Sequence, residues 1–363
     1  MKTEHRVFHE DARTASSIAD ESVDLIVTSP PYPMIQMWDE AFAAMNPGIA
    51  ALLTPAEGDA HAPDGTAAFA AMHDELDRVW QQCWRVLRSG GIACINIGDA
   101  TRTVDGEFAL WSNHSRILTS MLAIGFTVLP DVIWRKPTNA PNKFMGSGML
   151  PAGAYVTYEH EYVLVLRKGG KRVFASDDDK ARRRRSAYFW EERNVWFSDV
   201  WLDLVGTKQS SLDADTRSRS GAFPFELPYR LIQMYSVYGD TILDPFLGTG
   251  TTCAAALTSA RNSIGLEIDS TYADVIRRNL LAAPAHGRSR IDRRLDAHTN
   301  FASEREKAGK TIKHRSERYG FPVVTRQETE MELLWPVDID EVASGRFETT
   351  HATERWVQKS FVE

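Results

Sequence analysis

The chain has 363 residues, 43% of them hydrophobic and 25% charged, with a formal net charge of -7. Mean hydropathy is -0.32, and no apolar run nears the ~18 residues of a membrane span. Behind residues 1–6 there is no apolar segment of the kind a signal peptide needs. A cytoplasmic protein with one large α/β domain and extensions is therefore expected. The three cysteines, Cys83, Cys94 and Cys253, lie far apart, and ten histidines show no paired spacing, so buried reduced thiols and no metal site are expected.

Residues 7–11 read as a short strand ending in an acid. Asp11 at that end can accept from an amine, and equally can cap the helix that follows. Residues 23–27 are a continuous apolar run, the pattern of a buried strand. It stops at Ser29-Pro30-Pro31-Tyr32, where two prolines fix φ and remove two backbone donors. The result is a rigid loop at the carboxyl end of a strand. Ser29 brings a hydroxyl, the carbonyls ahead of the prolines are free to accept, and Tyr32 offers a flat face. These parts suit an exocyclic amine on a planar base; they also suit a proline-rich turn with a packing tyrosine. A long insertion over residues 33–70 follows, with an exposed loop at 59–66. Residues 74–87 form a helix, 92–97 a strand, 115–124 a helix stopped by Gly125, and 126–134 and 161–167 a terminal strand pair.

Residues 168–220 break the α/β rhythm. From 168 to 193 the chain carries nine Lys/Arg and five Asp/Glu, including Lys171, Arg172 and the run Arg182, Arg183, Arg184 and Arg185. Tyr188, Phe189, Trp190, Trp196, Phe197 and Trp201 are interleaved. Such a mixture suits phosphate contacts and base stacking; it also suits a solvated charge run beside a small aromatic core. Residues 223–237 open with Phe223 and form a helix. Thr241-Ile242-Leu243-Asp244-Pro245-Phe246-Leu247-Gly248-Thr249-Gly250-Thr251-Thr252 is a strand, a glycine turn and a helix start. Gly248 and Gly250 allow a tight turn and close approach of a ligand. Strand 264–267 then ends in Glu267, placed to take ribose hydroxyls. A helix over 271–281 follows. Beyond Pro284 the chain is charged and weakly periodic: residues 288–318 sum to +5 and residues 320–363 to -5. A partly ordered arm is expected there.

Asp244 to Gly250 and Ser29 to Tyr32 together resemble the amino-group DNA methyltransferases that use S-adenosylmethionine. The catalytic motif precedes the cofactor motif, which is the permuted beta order of that family, and the resemblance covers roughly residues 5–282. It implies a doubly wound, mostly parallel, Rossmann-like α/β sheet of about seven strands with an inserted basic target-recognition region. It divides the chain into a catalytic half (1–167, loop 28–32), a DNA target-recognition region (168–220), a cofactor-binding half (221–284) and a charged extension (285–363). It implies that Ser29, Pro30, Pro31 and Tyr32 are catalytic. It places Asp11, Phe223, Asp244, Phe246, Gly248, Gly250, Thr251 and Glu267 around S-adenosylmethionine, and assigns Lys171, Arg172 and Arg182 to Arg185 to DNA. In the family, Ser-Pro-Pro-Tyr goes with cytosine N4 and Asp-Pro-Pro-Tyr with adenine N6. The implied activity is methylation of cytosine N4 in duplex DNA, in a prokaryotic restriction-modification or epigenetic system, by a monomer or homodimer beside a separate endonuclease. The alternatives are adenine N6 or RNA as target, and a non-catalytic DNA-binding subunit.

Overall fold

The computed structural model describes residues 1–54, 62–136, 145–146, 149–204 and 223–355. Its main sheet is built from β1 (Lys2–Phe8), β2 (Val23–Thr28), β3 (Leu87–Ile97), β4 (Val132–Arg135), β5 (His160–Arg167), β6 (Val200–Trp201), β7 (Thr241–Asp244), β8 (Asn262–Leu266), β9 (Trp335–Ala343) and β10 (Arg346–Ala352). Their order is β6-β4-β5-β3-β2-β7-β8-β1-β10-β9, and the short strand Thr127–Val128 beside β5 makes eleven. The five central strands, β3 to β1, are parallel. β5 runs antiparallel between β3 and β4, the expected terminal pair. β2 and β7 are direct neighbours, with Leu25 opposite Ile242 and Ile26 opposite Leu243. The loop after each therefore leaves from the same, carboxyl end of the sheet, at the point where a doubly wound fold binds its ligands.

Both faces of the sheet are covered, as an all-parallel centre requires. The α-helices among the described residues are α1 (Asp39–Met45), α2 (Gly48–Leu53), α3 (Gly65–Val86), α4 (Asn113–Ile124), α5 (Asp177–Arg185), α6 (Trp190–Trp196), α7 (Glu226–Tyr235), α8 (Thr251–Thr258) and α9 (Ala273–Lys307). On one face Ile26, Ile95 and Leu164 meet Leu76, Trp80 and Met121 of α3 and α4. On the other, Leu25, Val27 and Val163 meet Leu227, Leu231 and Ala255 of α7 and α8. The 33–70 insertion contains α1, α2 and the start of α3, which begins nine residues earlier than the apolar spacing predicts.

The carboxyl-terminal residues correct the sequence reading. No helix stop occurs at Pro284: α9 runs 35 residues with Pro284 buried inside it. After it, β9 and β10 form a hairpin whose second strand pairs antiparallel with β1. This hairpin supplies two of the four strands beyond the expected seven; the others are β6 and the short strand Thr127–Val128, split from the expected strand over 126–134. Its turn needs glycine at 345, where φ is +69° and a Cβ would stand 2.6 Å from the Val7 carbonyl oxygen. The second half of α9 does not trail into solvent. It buries Ile291 and Leu295 against Phe189, Tyr319, Phe321, Met331, Leu333 and Trp335, a small second core. Residues 187–196, part of the segment read as a partner for DNA, supply one wall of this lobe.

Candidate active site

The loop Ser29 to Tyr32 follows β2 directly, and its first anchor lies one residue earlier. Thr28 is fully buried and donates its hydroxyl to Asp244 Oδ1 at 2.6 Å. Asp244 takes Thr252 Oγ1 on its other oxygen at 2.6 Å and the Phe246 N–H at 3.0 Å. One carboxylate thus ties the catalytic strand, the turn after β7 and the first turn of α8 together. Asp244 is 1% exposed, so its oxygens face these donors and not an incoming ligand. Burial pushes its carboxyl up to about 6, against the three hydrogen bonds that favour the charged form.

The glycine turn itself is open. Gly248 has φ +54° and Gly250, the N-cap of α8, has φ +88°. A Cβ on Gly248 would meet no atom within 4 Å, which leaves room for a ligand against the backbone. Thr251 begins α8, half-buried, with Oγ1 3.4 Å from Thr249 Oγ1. Glu267, just past the end of β8, takes the Gly248 N–H at 2.8 Å and the Asp269 N–H at 2.9 Å. Burial raises its carboxyl above the ordinary value. Asp11 follows β1, which pairs with β8, and its two oxygens hold Arg13 Nε at 3.0 and 2.9 Å. Arg13 continues to Glu75 Oε2 at 2.6 Å. Phe246 is half-buried with its ring 6.1 Å from Trp80, and Phe223 is buried in the core under α7. The open turn and the two acids at adjacent strand ends fit S-adenosylmethionine. Asp244 serves that site by holding its frame.

On the catalytic side, Ser29 Oγ lies 3.0 Å from the Tyr32 hydroxyl. Tyr32 donates to Glu161 Oε2 at 3.0 Å and accepts from Asn96 Nδ2 at 2.8 Å. Asn96 Nδ2 also donates to Glu161 Oε2 at 2.7 Å, and Lys136 Nζ donates to Oε1 at 2.5 Å. The Tyr32 ring packs close to the chain at Gly98, where a Cβ would come within 3.1 Å of it. Burial, and then the Glu161 charge, push the Tyr32 phenol well above its usual 10, so it remains a neutral O–H. Beside this group, Asp99 holds His114 Nδ1 at 2.8 Å, and the His114 ring stacks on Tyr162 at 4.0 Å.

The model of the DNA methylase family matches residues 23–278, which span both loops. The chain belongs to this family. Type II methyltransferase M.MthZI of Methanothermobacter thermautotrophicus is 47% identical to the methylase over 96% of this chain and 95% of its own. Type II methyltransferase M.MjaI of Methanocaldococcus jannaschii is 48% identical over 77% of this chain and 92% of its own. A putative DNA modification methylase from Thermus thermophilus, solved in complex with S-adenosyl-L-methionine, superposes with a TM-score of 0.58 at 31% identity, covering 77% and 95% of the two chains.

The methylase brings Ser29, Tyr32, Asp244, Gly248, Gly250, Glu267 and Asp11 to one end of its sheet. The basic residues are elsewhere. Arg172 pairs with Asp240 at 2.5 Å and faces Asp24, both at the amino ends of β7 and β2. Arg182 pairs with Asp179 at 3.0 Å, Arg184 with Glu330 at 2.7 Å, and Arg183 lies over the Phe174 ring. Lys171 and Arg185 are exposed in the same stretch. None of the six is brought to the catalytic loop. Reading along the chain also missed Asn96, Glu161 and Lys136. The available signal was polarity out of place: Asn96 interrupts the apolar run of β3, and Glu161 opens that of β5.

Proposed function

We propose that this DNA methylase transfers the methyl group of S-adenosylmethionine to the exocyclic N4 of cytosine in duplex DNA, as the modifying member of a type II restriction-modification system. The reading is carried by a serine hydroxyl at the head of the proline loop, set against the cofactor turn through Thr28 and Asp244. The names of the two type II relatives support the modification role. S-adenosylmethionine supplies a methyl group on a sulfonium, an electrophile in need only of an aligned amine.

The protein's work is that alignment. An exocyclic amine shares its lone pair with the ring and is a weak nucleophile. Ser29 Oγ and the Pro30 carbonyl accept its two hydrogens, draw the nitrogen toward tetrahedral geometry, and stabilise the positive charge that grows there. The N–C bond forms as the S–C bond breaks, the sulfur leaves as a neutral thioether with the electron pair, and the methylated nitrogen gives up one proton to water; no covalent enzyme intermediate is needed, in keeping with three cysteines that are all buried. The target base leaves the duplex to reach the loop. The described aromatics beside the loop, Tyr32 and the His114–Tyr162 stack, suit the walls of such a base pocket.

The test is incubation of plasmid DNA from a methylation-free host with the protein and S-adenosylmethionine, followed by mass spectrometry of the nucleosides. N4-methylcytosine is the expected product. N6-methyladenine alone would move the activity to adenine, and no modified base despite saturable cofactor binding would leave a DNA-binding subunit.

A further inference from the structure

We propose that Glu161 fixes the direction of the hydrogen bonds at Ser29, so that the serine hydroxyl meets the substrate amine only as an acceptor. Glu161 is then a positioning residue, acting through Tyr32. This deepens the amine-methylation reading above and rests on it.

The direction follows from a count of protons. Three donors converge on the Glu161 carboxylate: Lys136 Nζ on Oε1, and Asn96 Nδ2 and the Tyr32 hydroxyl on Oε2. A carboxylate in such a ring of donors has only lone pairs to offer. The single phenolic proton of Tyr32 is therefore spent on Glu161. The Asn96 amide spends one N–H on Glu161 and the other on the Tyr32 oxygen; the reverse amide orientation would set two acceptors, Oδ1 and Oε2, against each other. The Tyr32 oxygen thus has lone pairs left and no proton. Its 3.0 Å contact with Ser29 Oγ can only be Ser29 donating. With its one proton held inward, Ser29 turns its oxygen lone pairs outward.

That polarity is what an amine needs. The N–H groups of the base are donors, and a serine free to rotate would present its own proton to them part of the time. The chain of hydrogen bonds also transmits charge. Each hydrogen bond polarises the next, so the negative charge at Glu161 favours positive charge growing on the amine nitrogen. A loop that begins with aspartate puts its carboxylate at the amine itself. This protein puts a carboxylate two hydrogen bonds behind a serine, with Lys136 as its counter-ion, 43% exposed at the outer end.

Glu161→Gln reverses the chain. Lys136 takes the amide oxygen, the amide nitrogen turns to Tyr32 as a donor, and the phenolic proton is released toward Ser29. The experiment uses the full-length protein with S-adenosylmethionine and unmethylated plasmid. It measures single-turnover methylation and equilibrium binding of cofactor and DNA for wild type, E161Q, Y32F and E161Q/Y32F. Each single variant should slow the chemical step by roughly tenfold or more, with both dissociation constants within about twofold of wild type. The double variant should be no slower than the slower single one, because both changes break one chain. Should E161Q not fold, Lys136→Met removes only the outer partner and should slow the same step by a smaller factor with binding unchanged. Losses that multiply in the double variant, or a wild-type rate in E161Q or K136M, would overturn the proposal. A wild-type protein that leaves DNA amines unmethylated would instead remove the function on which it rests.

Discussion

The two ends of the sheet use similar residues to opposite purposes. At the carboxyl ends of β2 and β7, Thr28 is bonded to Asp244 and Tyr32 to Glu161, and the glycine turn is left open beside them. At the amino ends, and in the lobe beneath, arginines and aromatics are abundant and almost all have partners. Arg294, buried, grips Glu192 through Nε and Nη2 at 2.6 and 2.8 Å. His298 stacks on Phe189 at 3.8 Å, and Trp190 on Phe301 at 5.8 Å. In sequence both regions read as binding surfaces, the first for cofactor and target base and the second for DNA phosphates. Side chains at both ends are partnered within the chain; what separates the ends is the backbone at the glycine turn, where a Cβ on Gly248 would meet no atom within 4 Å and which is so open to a ligand. A satisfied arginine is part of the scaffold whatever its charge adds to a local sum.

The largest effect should come from unpairing the lobe. Arg294→Ala leaves the Glu192 carboxylate, 13% exposed, without its cation. Breaking such a buried pair costs about 3–5 kcal/mol. Urea unfolding at neutral pH should show a drop of that order, while cofactor affinity of the still-folded protein stays at the wild-type value. Stability close to wild type would mean that the α6–α9 contact is not a structural seam, and the contrast between the two ends would weaken.

Next in size is Ser29→Ala. Among the described residues the hydroxyl bonds only to Tyr32, so its removal leaves no buried partner in difficulty. Folding and binding should be unchanged. The single-turnover rate should fall by roughly 100-fold, about 2.7 kcal/mol, the scale for losing one group aimed at developing charge. A wild-type rate would reduce Ser29 to a loop residue.

Asp244 gives a prediction in pH. Its carboxyl titrates near 6 in the fold, against 3.8 ordinarily, because it is buried. The folded protein therefore holds this proton more tightly than the unfolded chain does. Stability from this group is greatest below about pH 4, declines as pH rises toward 6, and is level above that, by a total of about 3 kcal/mol. Asp244→Asn is neutral throughout, and Thr28, Thr252 or the Phe246 N–H can still use its amide oxygen. The difference in unfolding free energy, wild type minus D244N, should shrink across that window. A difference independent of pH would show that the carboxylate is better solvated by its three donors than its burial suggests.

How much was legible follows the same division. Ser29 to Tyr32 and Asp244 to Gly250 are contiguous, and each is a local rule: prolines end a strand, glycines turn it into a helix. Glu161, Asn96 and Lys136 come from three segments and meet only through the register of β5, which sets Val163 opposite Asn96 and pairs Glu161 with Trp134 of β4. No spacing along the chain encodes that. The length of α9 was hidden for a different reason. Its buried face runs Ile276, Leu280, Ala283, Gly287, Ile291, Arg294, His298 and Ala302. The repeat is helical, yet glycine, arginine and histidine interrupt the apolar pattern that hydropathy detects. In β10 the inward residues Phe347, Thr349 and His351 alternate properly, but two of them are polar, so the strand read as part of a charged tail.

The smallest expected effect is also the one that bears hardest on the comparison. If the run Arg182 to Arg185 bound DNA phosphates, replacing all four with alanine would flatten the dependence of log affinity on log salt by about 0.9 for each phosphate no longer neutralised. The structure gives three of these side chains other occupations. Arg182 and Arg184 are in ion pairs and Arg183 lies over Phe174, while Arg185 is exposed and tied down through its backbone, its carbonyl accepting from the Glu332 N–H. The segment follows Arg172, which is fixed at the amino ends of β2 and β7, the end of the sheet opposite Ser29. The fourfold variant should therefore keep the wild-type salt slope on plasmid DNA. Its stability should fall only by the worth of two exposed ion pairs, at most about 1 kcal/mol each. Binding isotherms at several salt concentrations decide the matter. An unchanged slope assigns this run to the scaffold. A slope flattened by the equivalent of two or three phosphates returns it to the DNA interface, and would mean that the duplex wraps from the catalytic loop around the edge of the sheet to the lobe beneath it.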